Sequence, residues 1–348
     1  MDHNGAVPRK RVTITDVAAR AGVSRAAVSK VFNGTGNISV ATTKRIRKAA
    51  DELNWTPSPA AVALRSSRTK AIGLVVYRTN ATFELTPISS AIISGIESVL
   101  NPLDFGLLLY LLEEDPESER VFYNRLATGH RVDGVILTNS VIDDPRFDLM
   151  NDLGMPAVLL GTPDGPAPIL HVDTVPPAAG VAEAVEYLVE EGHRHIAYLS
   201  AQEEKVAVLL RRRAFDEAIG AHPDVLSTVI FTDYTPDDGA ERTGQLLSGA
   251  SRPTAIMYAS DMMAIAGMRR AKQMGYVIPD DLSIVGFDGL QVGDWTEPQL
   301  TTVKRFAVER GRAAAWAILD QLGINAGTAI LPERPQLIIR GSSGSAPR

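Results

Sequence analysis

From Ala71 onward the chain alternates short apolar runs with longer stretches of helical period. AIGLVVY, FGLLLYLL, VDGVILT, MPAVLL, ILHV, HIAYLS, STVIF, TAIMY and LSIVGF read as strands buried on both faces, since parallel sheets sandwiched by helices carry unbroken apolar runs. Between them ISSAIISGIESVLN, AAGVAEAVEYLVEEG, LLRRRAFDEAIG and DMMAIAGMRRAKQMG place apolar residues three and four apart, which predicts helices. Repetition of strand, helix and strand predicts an α/β core of parallel sheets, and the strands are too many for one compact sheet, so two similar lobes are expected.

The pattern before Ala71 is different. TITDVAARAGVSRAAVSKVFN, residues 13–33, predicts two short helices around a sharp turn. Thr15 is expected to cap the first helix, with Asp16 at the positive end of its dipole, and Gly22 to supply the left-handed turn. Ser24 is expected to cap the second helix, and Asn33-Gly34 to end it. Ser39 then caps a third, VATTKRIRKAADEL, whose Val40, Ile46, Ala50 and Leu53 are expected to close a small core. Lys44, Arg45, Arg47 and Lys48 are read as a solvated face and given no specific contact. After it, Ser58 and Pro59 can open a two-turn helix too short to hold itself in water, a candidate for folding on binding or for a plain linker.

Charge turns the helix pair from a generic αα-hairpin into a nucleic-acid module. Residues 1–70 hold 13 Lys and Arg against 4 Asp and Glu, a net of +9, whereas the remaining 278 residues carry −15 within a total of −6. A basic end on an acidic body confines phosphate binding to that end. The 348 residues, 45% hydrophobic, can bury a large core, and the absence of Cys leaves neither disulfides nor thiolate metal sites. No apolar leader and no run of membrane-spanning length is present, so a cytoplasmic protein without membrane contact is expected. His193 and His195 have no acidic partners at metal spacing, and no P-loop, dinucleotide motif or nucleophile elbow occurs. No metal, cofactor or catalysis is expected.

TITDVAARAGVSRAAVSKVFNG, WTPSPAAVALRS, AIGLVVY, RVDGVILT, EEGHRHIAYLS, ASDMMAIAGMRRAKQMGYVIPDDLSIVGFD and PQLTTV, in that order, resemble the lactose/galactose-repressor (LacI/GalR) family of transcription regulators. The resemblance implies an N-terminal all-α helix-turn-helix domain plus hinge helix, then an α/β two-lobed periplasmic-binding-protein-like core with parallel sheets. The implied boundaries are a flexible tail at 1–10, the DNA-binding domain at 11–56, hinge and linker at 57–70, the core at 71–340 and a flexible tail at 341–348. Within the core, lobe 1 is expected at about 71–161 plus 301–325, and lobe 2 at about 162–300 plus 326–340. The family's partners are a pseudo-palindromic double-stranded operator, a second copy of the chain and a small-molecule effector.

By the same resemblance, Arg25, Ala26 and Lys30 match positions that face bases in the major groove, where Arg and Lys suit guanine acceptors and Ala a thymine methyl. Thr13, Thr15, Ser24, Ser29 and Asn33 are short donors suited to phosphates, with local capping as their other role. In the hinge, Leu64 matches a leucine wedged into the minor groove, with Ala61 beside it. In the cleft, Asp288 matches a hydroxyl-binding aspartate, Arg211 an effector-contacting arginine, Ser260 a polar pocket position and Tyr234 an aromatic that stacks on a sugar ring. Each has a plainer reading: a turn cap for Asp288 and Ser260, a solvated arginine for Arg211, loop packing for Tyr234. Asp261 is read as the cap of the helix starting at Met262, and Gly289 stands where many relatives carry an acidic or amide residue.

The expected function is a DNA-binding transcription regulator, a repressor controlled by a sugar or sugar derivative in the cleft. A purine or nucleobase co-repressor is the alternative ligand. A solute-binding receptor without DNA function is the alternative class, which the basic helix-turn-helix argues against. The tail GSSGSAPR holds no leucine heptad and so gives no reason to expect a coiled-coil tetramer.

Overall fold

The structure is a computed structural model that describes residues 12–32, 35–56, 68–77, 86–112, 115–173, 178–201, 204–327 and 332–347. It divides between Thr69 and Lys70 into two compact units.

In the first unit, α1 (Ile14–Ala21), α2 (Arg25–Phe32) and α3 (Val40–Glu52) bury Val17, Ala18, Ala21, Val28, Val31, Ile46, Ala49 and Ala50 against one another. Gly22 takes the left-handed conformation at φ 63°, Ser24 Oγ accepts from the Ala27 N–H at 3.2 Å, and Ser39 Oγ from the Thr42 N–H at 3.3 Å. Trp55 meets Phe32 edge-on with ring centroids 5.2 Å apart, closing the open end of this core. Two expectations are corrected. The cap of α1 is Thr13 rather than Thr15: Asp16, three residues on, accepts from the Thr13 N–H at 2.8 Å and from its hydroxyl at 2.7 Å. Val40 is 75% exposed at the first position of α3, directly after the cap and outside the core that Ile46, Ala49 and Ala50 form.

The second unit holds two sheets. The first has the order β2-β1-β3-β4-β5, all parallel, from β1 (Ala71–Tyr77), β2 (Gly106–Leu112), β3 (Gly134–Leu137), β4 (Ala157–Leu159) and β5 (Leu170–His171). It is flanked by α4 (Pro87–Leu100), α5 (Pro116–Thr128) and α6 (Arg146–Asp152). The second has the order β11-β10-β9-β8-β6-β7 and is parallel except for β11. Its strands are β6 (His195–Ala201), β7 (Leu226–Thr232), β8 (Ala255–Tyr258), β9 (Ser283–Asp288), β10 (Thr301–Lys304) and β11 (Gln336–Ile338). Around it lie α7 (Ala178–Glu190), α8 (Val206–Gly220), α9 (Pro236–Ser248) and α10 (Asp261–Gln273). After β10 the chain returns to the first lobe for α11 (Ala307–Gln321), whose Ala313, Ala314, Ala315, Ile318 and Leu319 complete the core around Ile72 and Ile96. Gly95 and Gly311 let α4 and α11 approach backbone to backbone; a Cβ on either would collide with the carbonyl of Val308 or Ile92.

The lobe boundaries differ from the expected ones. β5 pairs with β4, so the first lobe runs past Gly161, and β10 pairs with β9 and β11, so it belongs to the second lobe. The tail from Gly341 is packed rather than loose: Ser342 and Ser343 are buried, Ser342 Oγ donates to the Ile284 carbonyl at 2.6 Å, and the Gly344 N–H donates to Ser283 Oγ at 3.1 Å. FGLLLYLL and STVIF form β2 and β7 at sheet edges, where one side lacks a neighbour, and Leu108, Leu109, Leu111 and Phe231 are exposed rather than buried. His193 is a buried structural residue, bonded through its ring to Thr254, Ser283 and the Gly344 carbonyl.

Candidate DNA-reading face and effector cleft

In the first unit the sequence places polar residues around the start of α2, and the structure leaves them open. Arg25, Ala26 and Lys30 are exposed, with Ala26 and Lys30 one turn apart on the same face. Thr13, Thr15 and Ser24 are exposed and Ser29 is half-buried. The helix stands on Val28 and Val31, buried against α1 and α3, so its outer face is presented by a packed base. Asn33, Ala61 and Leu64 lie outside the described residues.

In the core, the cleft residues gather where parallel strands end, the place α/β folds bind ligands. Asp288 terminates β9, only 5% exposed and held at φ 134°, a strained value for an L-residue. Its backbone carbonyl accepts from the Arg305 N–H at 3.3 Å, and its Oδ1 from Arg305 Nη1 at 3.2 Å. Burial pushes its carboxyl above the usual range, opposed by the charges of Arg305 and Arg211.

Arg211 on α8 is buried, not solvated. Its Nε donates to the Ala207 carbonyl at 3.0 Å and its Nη1 to the Ala259 carbonyl at 2.9 Å, while the guanidinium lies 4.6 Å from the centre of the Phe287 ring. Tyr234 donates its hydroxyl to the same Ala259 carbonyl at 3.2 Å, and burial with the nearby Asp288 charge pushes that hydroxyl up to about 12. Arg211, Tyr234 and Asp288, far apart in sequence, therefore converge beside the end of β8.

Ser260 and Asp261 exchange the expected roles. Ser260 caps α10, its Oγ accepting from the Met263 N–H at 3.3 Å. Asp261, at the first helical position, instead turns inward to accept from the Leu290 N–H at 2.6 Å and from the Thr302 hydroxyl. It thereby ties the loop after Asp288 to β10. Its carboxyl is pushed up to about 7, first by burial and then by the Asp288 charge.

Gly289 is required by geometry. It has φ 73°, and a Cβ there would stand 2.6 Å from Lys304 Cα, so the loop cannot hold the acidic or amide side chain expected from relatives without moving. Beyond it opens a cavity of about 500 Å³, whose walls include Asp288, Gln291, Trp295, Lys304, Phe306 and Glu309. Aromatic and aliphatic walls carrying two carboxylates, Asp288 and Glu309, and one ammonium, Lys304, suit a small hydroxylated or planar ligand.

Three features escaped the sequence reading. Arg305 and Phe287 complete the Asp288 site; the basic pair Lys304-Arg305 at a strand end was the available signal. Arg310 makes a buried two-pronged pair with Asp173. On the first lobe, Arg146 binds Asp144 through Nε at 2.8 Å and Nη2 at 2.6 Å, Tyr77 through Nη1 at 2.6 Å and the Asn139 carbonyl at 3.2 Å. That network holds a loop whose Ser140 carbonyl accepts from the Val206 N–H at 2.9 Å, so the first lobe satisfies the start of α8, the helix bearing Arg211. Among the described residues no group of His, Asp and Glu is arranged to hold a metal ion.

A helix-turn-helix unit with an open basic helix, followed by a two-lobed core with a polar cleft, defines a ligand-binding DNA regulator. Residues 13–58 match the family described as bacterial regulatory proteins, lacI family, and residues 185–343 a periplasmic binding protein-like domain. The HTH-type transcriptional regulator CelR of Thermobifida fusca is 32% identical over 320 residues, 90% of this chain and 93% of that protein. The HTH-type transcriptional repressor PurR of Mannheimia succiniciproducens is 32% identical over 335 residues, covering 95% and 98%. Among solved structures, the lac repressor dimer bound to operator and the anti-inducer ONPF superposes with TM-score 0.83 at 25% identity, over 97% of this chain and 100% of that one. The complex of the regulator CelR with cellobiose gives 0.67 at 29%, over 95% and 100%. The chain belongs to the LacI family of bacterial regulatory proteins: it is a DNA-binding transcription regulator with a ligand-binding core, and not an enzyme.

Proposed function

We propose that the protein represses transcription as a homodimer on a pseudo-palindromic operator in the cytoplasm, and that a sugar or sugar derivative in the cleft sets its operator affinity. The observation that carries the ligand class is the convergence of Arg211, Tyr234 and Asp288 at the ends of β8 and β9. A carboxylate accepts paired hydroxyls, guanidinium and phenol donate to ring and hydroxyl oxygens, and Phe306 and Trp295 offer apolar faces to a pyranose. The cellobiose bound by the regulator CelR supports the same class, and the similarity to the transcriptional repressor PurR supports repression. Homodimerisation is supported by the operator-bound lac repressor dimer and by Leu108, Leu109 and Leu111 standing exposed on the edge strand β2.

On DNA, Arg25 and Lys30 read guanine and Ala26 a thymine methyl, while Thr13, Thr15, Ser24, Ser29 and Asn33 fix register on phosphates. Ala61 and Leu64 enter the minor groove from the hinge, which spans residues 57–70. Effector binding favours one arrangement of the lobes over another, and the core passes that preference to the hinge. No helix among the described residues is long and apolar enough to cross a membrane.

The test is calorimetry of the full-length protein against neutral sugars, sugar derivatives and purine bases. Saturable binding of a sugar or derivative that is lost in Arg211→Ala and changes operator affinity supports the reading. Binding of a purine with no response to any sugar overturns its ligand class.

A further inference from the structure

One wall of the cavity is fastened at its near end through a single carboxylate. Gly289, Leu290, Gln291, Val292 and Trp295 all line the cavity, and all lie on the segment between β9 and β10. The far end of that segment is tied to its own return: the Leu300 N–H donates to the Gly293 carbonyl at 2.9 Å, and Arg340 pairs with Asp294. At the near end the ties run to Asp261. One carboxylate oxygen accepts from the Leu290 N–H at 2.6 Å, and the other from the Thr302 hydroxyl, whose oxygen accepts in turn from the Gly289 N–H at 3.2 Å. Two consecutive backbone donors of the wall therefore end on one side chain, the first of them by way of Thr302.

The fold makes room for this carboxylate. Asp261 and Thr302 are fully buried, and a Cβ at Gly286 on β9 would collide with Asp261 Oδ1. Asp261 stands at the first position of α10, where the helix dipole favours a negative charge. Burial and then the charge of Asp288 oppose it and push the carboxyl up to about 7. The other charged groups at this end of the sheet have partners or places of their own. Arg305 pairs with Asp288, Arg211 donates to the Ala207 and Ala259 carbonyls, Arg340 pairs with Asp294, and Lys304 and Glu309 line the cavity. An ionised carboxylate accepts hydrogen bonds roughly twice as strong as those of a neutral acid. A protonated one must also donate, and reversing the Thr302 bond would bring a second donor onto the oxygen that already serves Gly289.

We infer that Asp261 is the positioning residue of the cavity wall: ionised, it draws the segment from Gly289 to Trp295 onto β10, and protonated, it lets that wall slacken. The same ionisation costs the core stability, so the wall is ordered at the expense of the fold. That this adjusts effector binding rests on the sugar-binding reading of the cleft; the clasp itself does not.

Trp295, 74% exposed at the end of the wall, is the reporter. The full-length protein is labelled with fluorotryptophan, and its 3 tryptophan resonances, assigned by single Trp→Phe variants, are followed by fluorine NMR with no ligand present. Trp295 is expected to move with a midpoint near pH 7, while Trp55 in the first unit and Trp316 on α11 stay in place. Asp261→Asn, which keeps an acceptor for Leu290 and removes the titration, is expected to abolish the movement. Thr302→Val should carry the midpoint upward by about one pH unit, and Thr302→Ser should leave it unchanged. Should Thr302→Val not fold, Asp261→Asn and Thr302→Ser decide alone. A Trp295 resonance that does not titrate, or titrates equally in Asp261→Asn, overturns the inference, as does joint movement of all the resonances. Each of these leaves the sugar reading untouched, whereas a titrating Trp295 in a protein that binds no sugar in calorimetry overturns that reading and keeps the clasp.

Discussion

Arg310→Met tests whether the junction of the two lobes rests on a satisfied ion pair. The Arg310 side chain is 7% exposed and that of Asp173 5%, and the pair is joined by two hydrogen bonds of 2.7 and 2.5 Å. Methionine fills much of the volume but strands the carboxylate, and leaving one member of a buried pair uncompensated costs about 3–5 kcal/mol. Replacing both, as Arg310→Met with Asp173→Leu, removes the orphan charge along with its partner, so most of the loss should be recovered, to within about 1–2 kcal/mol of the parent. Urea unfolding followed by tryptophan fluorescence reads this directly, since Trp316 lies on α11 two turns beyond Arg310 and packs on the first-lobe core. A single variant that loses less than about 1 kcal/mol, or a double variant no better than the single, would refute the reasoning.

Further outcomes follow from other sites. Asp261, with its carboxyl pushed up to about 7, keeps in the folded state a proton that the unfolded chain releases near pH 4, so its contribution weakens stability as pH rises between those values, by up to ~1.4 kcal/mol per unit. Asp261→Asn should therefore gain stability relative to the parent between pH 4.5 and 7.5, as read from urea midpoints; a constant difference across that window contradicts it. Gly289→Ala forces a Cβ to within 2.6 Å of Lys304 Cα at φ 73°, so it should destabilise the core by about 1–3 kcal/mol and weaken ligand binding in calorimetry; unchanged binding would show the loop to be peripheral. Arg25→Ala should weaken specific operator binding by about 1–3 kcal/mol and nonspecific binding less, in anisotropy titrations at fixed salt; equal losses on both would remove its base-reading role.

Local signals in the sequence carried the helix-turn-helix. Gly22, Ser24 and Ser39 act as their side chains dictate, because a turn glycine or a cap depends on residues three or four away. The misplaced cap of α1 shows the same rule misread: Thr13 with Asp16 three residues later was the better capping box than Thr15. Apolar runs located the strands but not their neighbours. Whether FGLLLYLL lies at an edge, or β10 in the second sheet, is decided by pairing across long stretches of chain.

The cleft was legible one residue at a time and not as a set. Asp288 and Arg211 were visible through the family resemblance, whereas the exchange of roles between Ser260 and Asp261 depends on which oxygen the fold turns inward. The Arg310–Asp173 pair and the contact of Arg146 with Tyr77 join residues on different elements, and no spacing in the sequence announces them; for Arg305 the only signal was the basic pair it forms with Lys304 at a strand end.

The central claim, a dimeric DNA reader under the control of its core, is tested most directly by selecting bound sequences from a random duplex library with the full-length protein. The account predicts a two-fold symmetric site with one half-site per subunit and a flexible central step for the hinge. Recovery of a lone asymmetric half-site, or of no sequence preference at physiological salt with and without candidate sugars and purines, would contradict it.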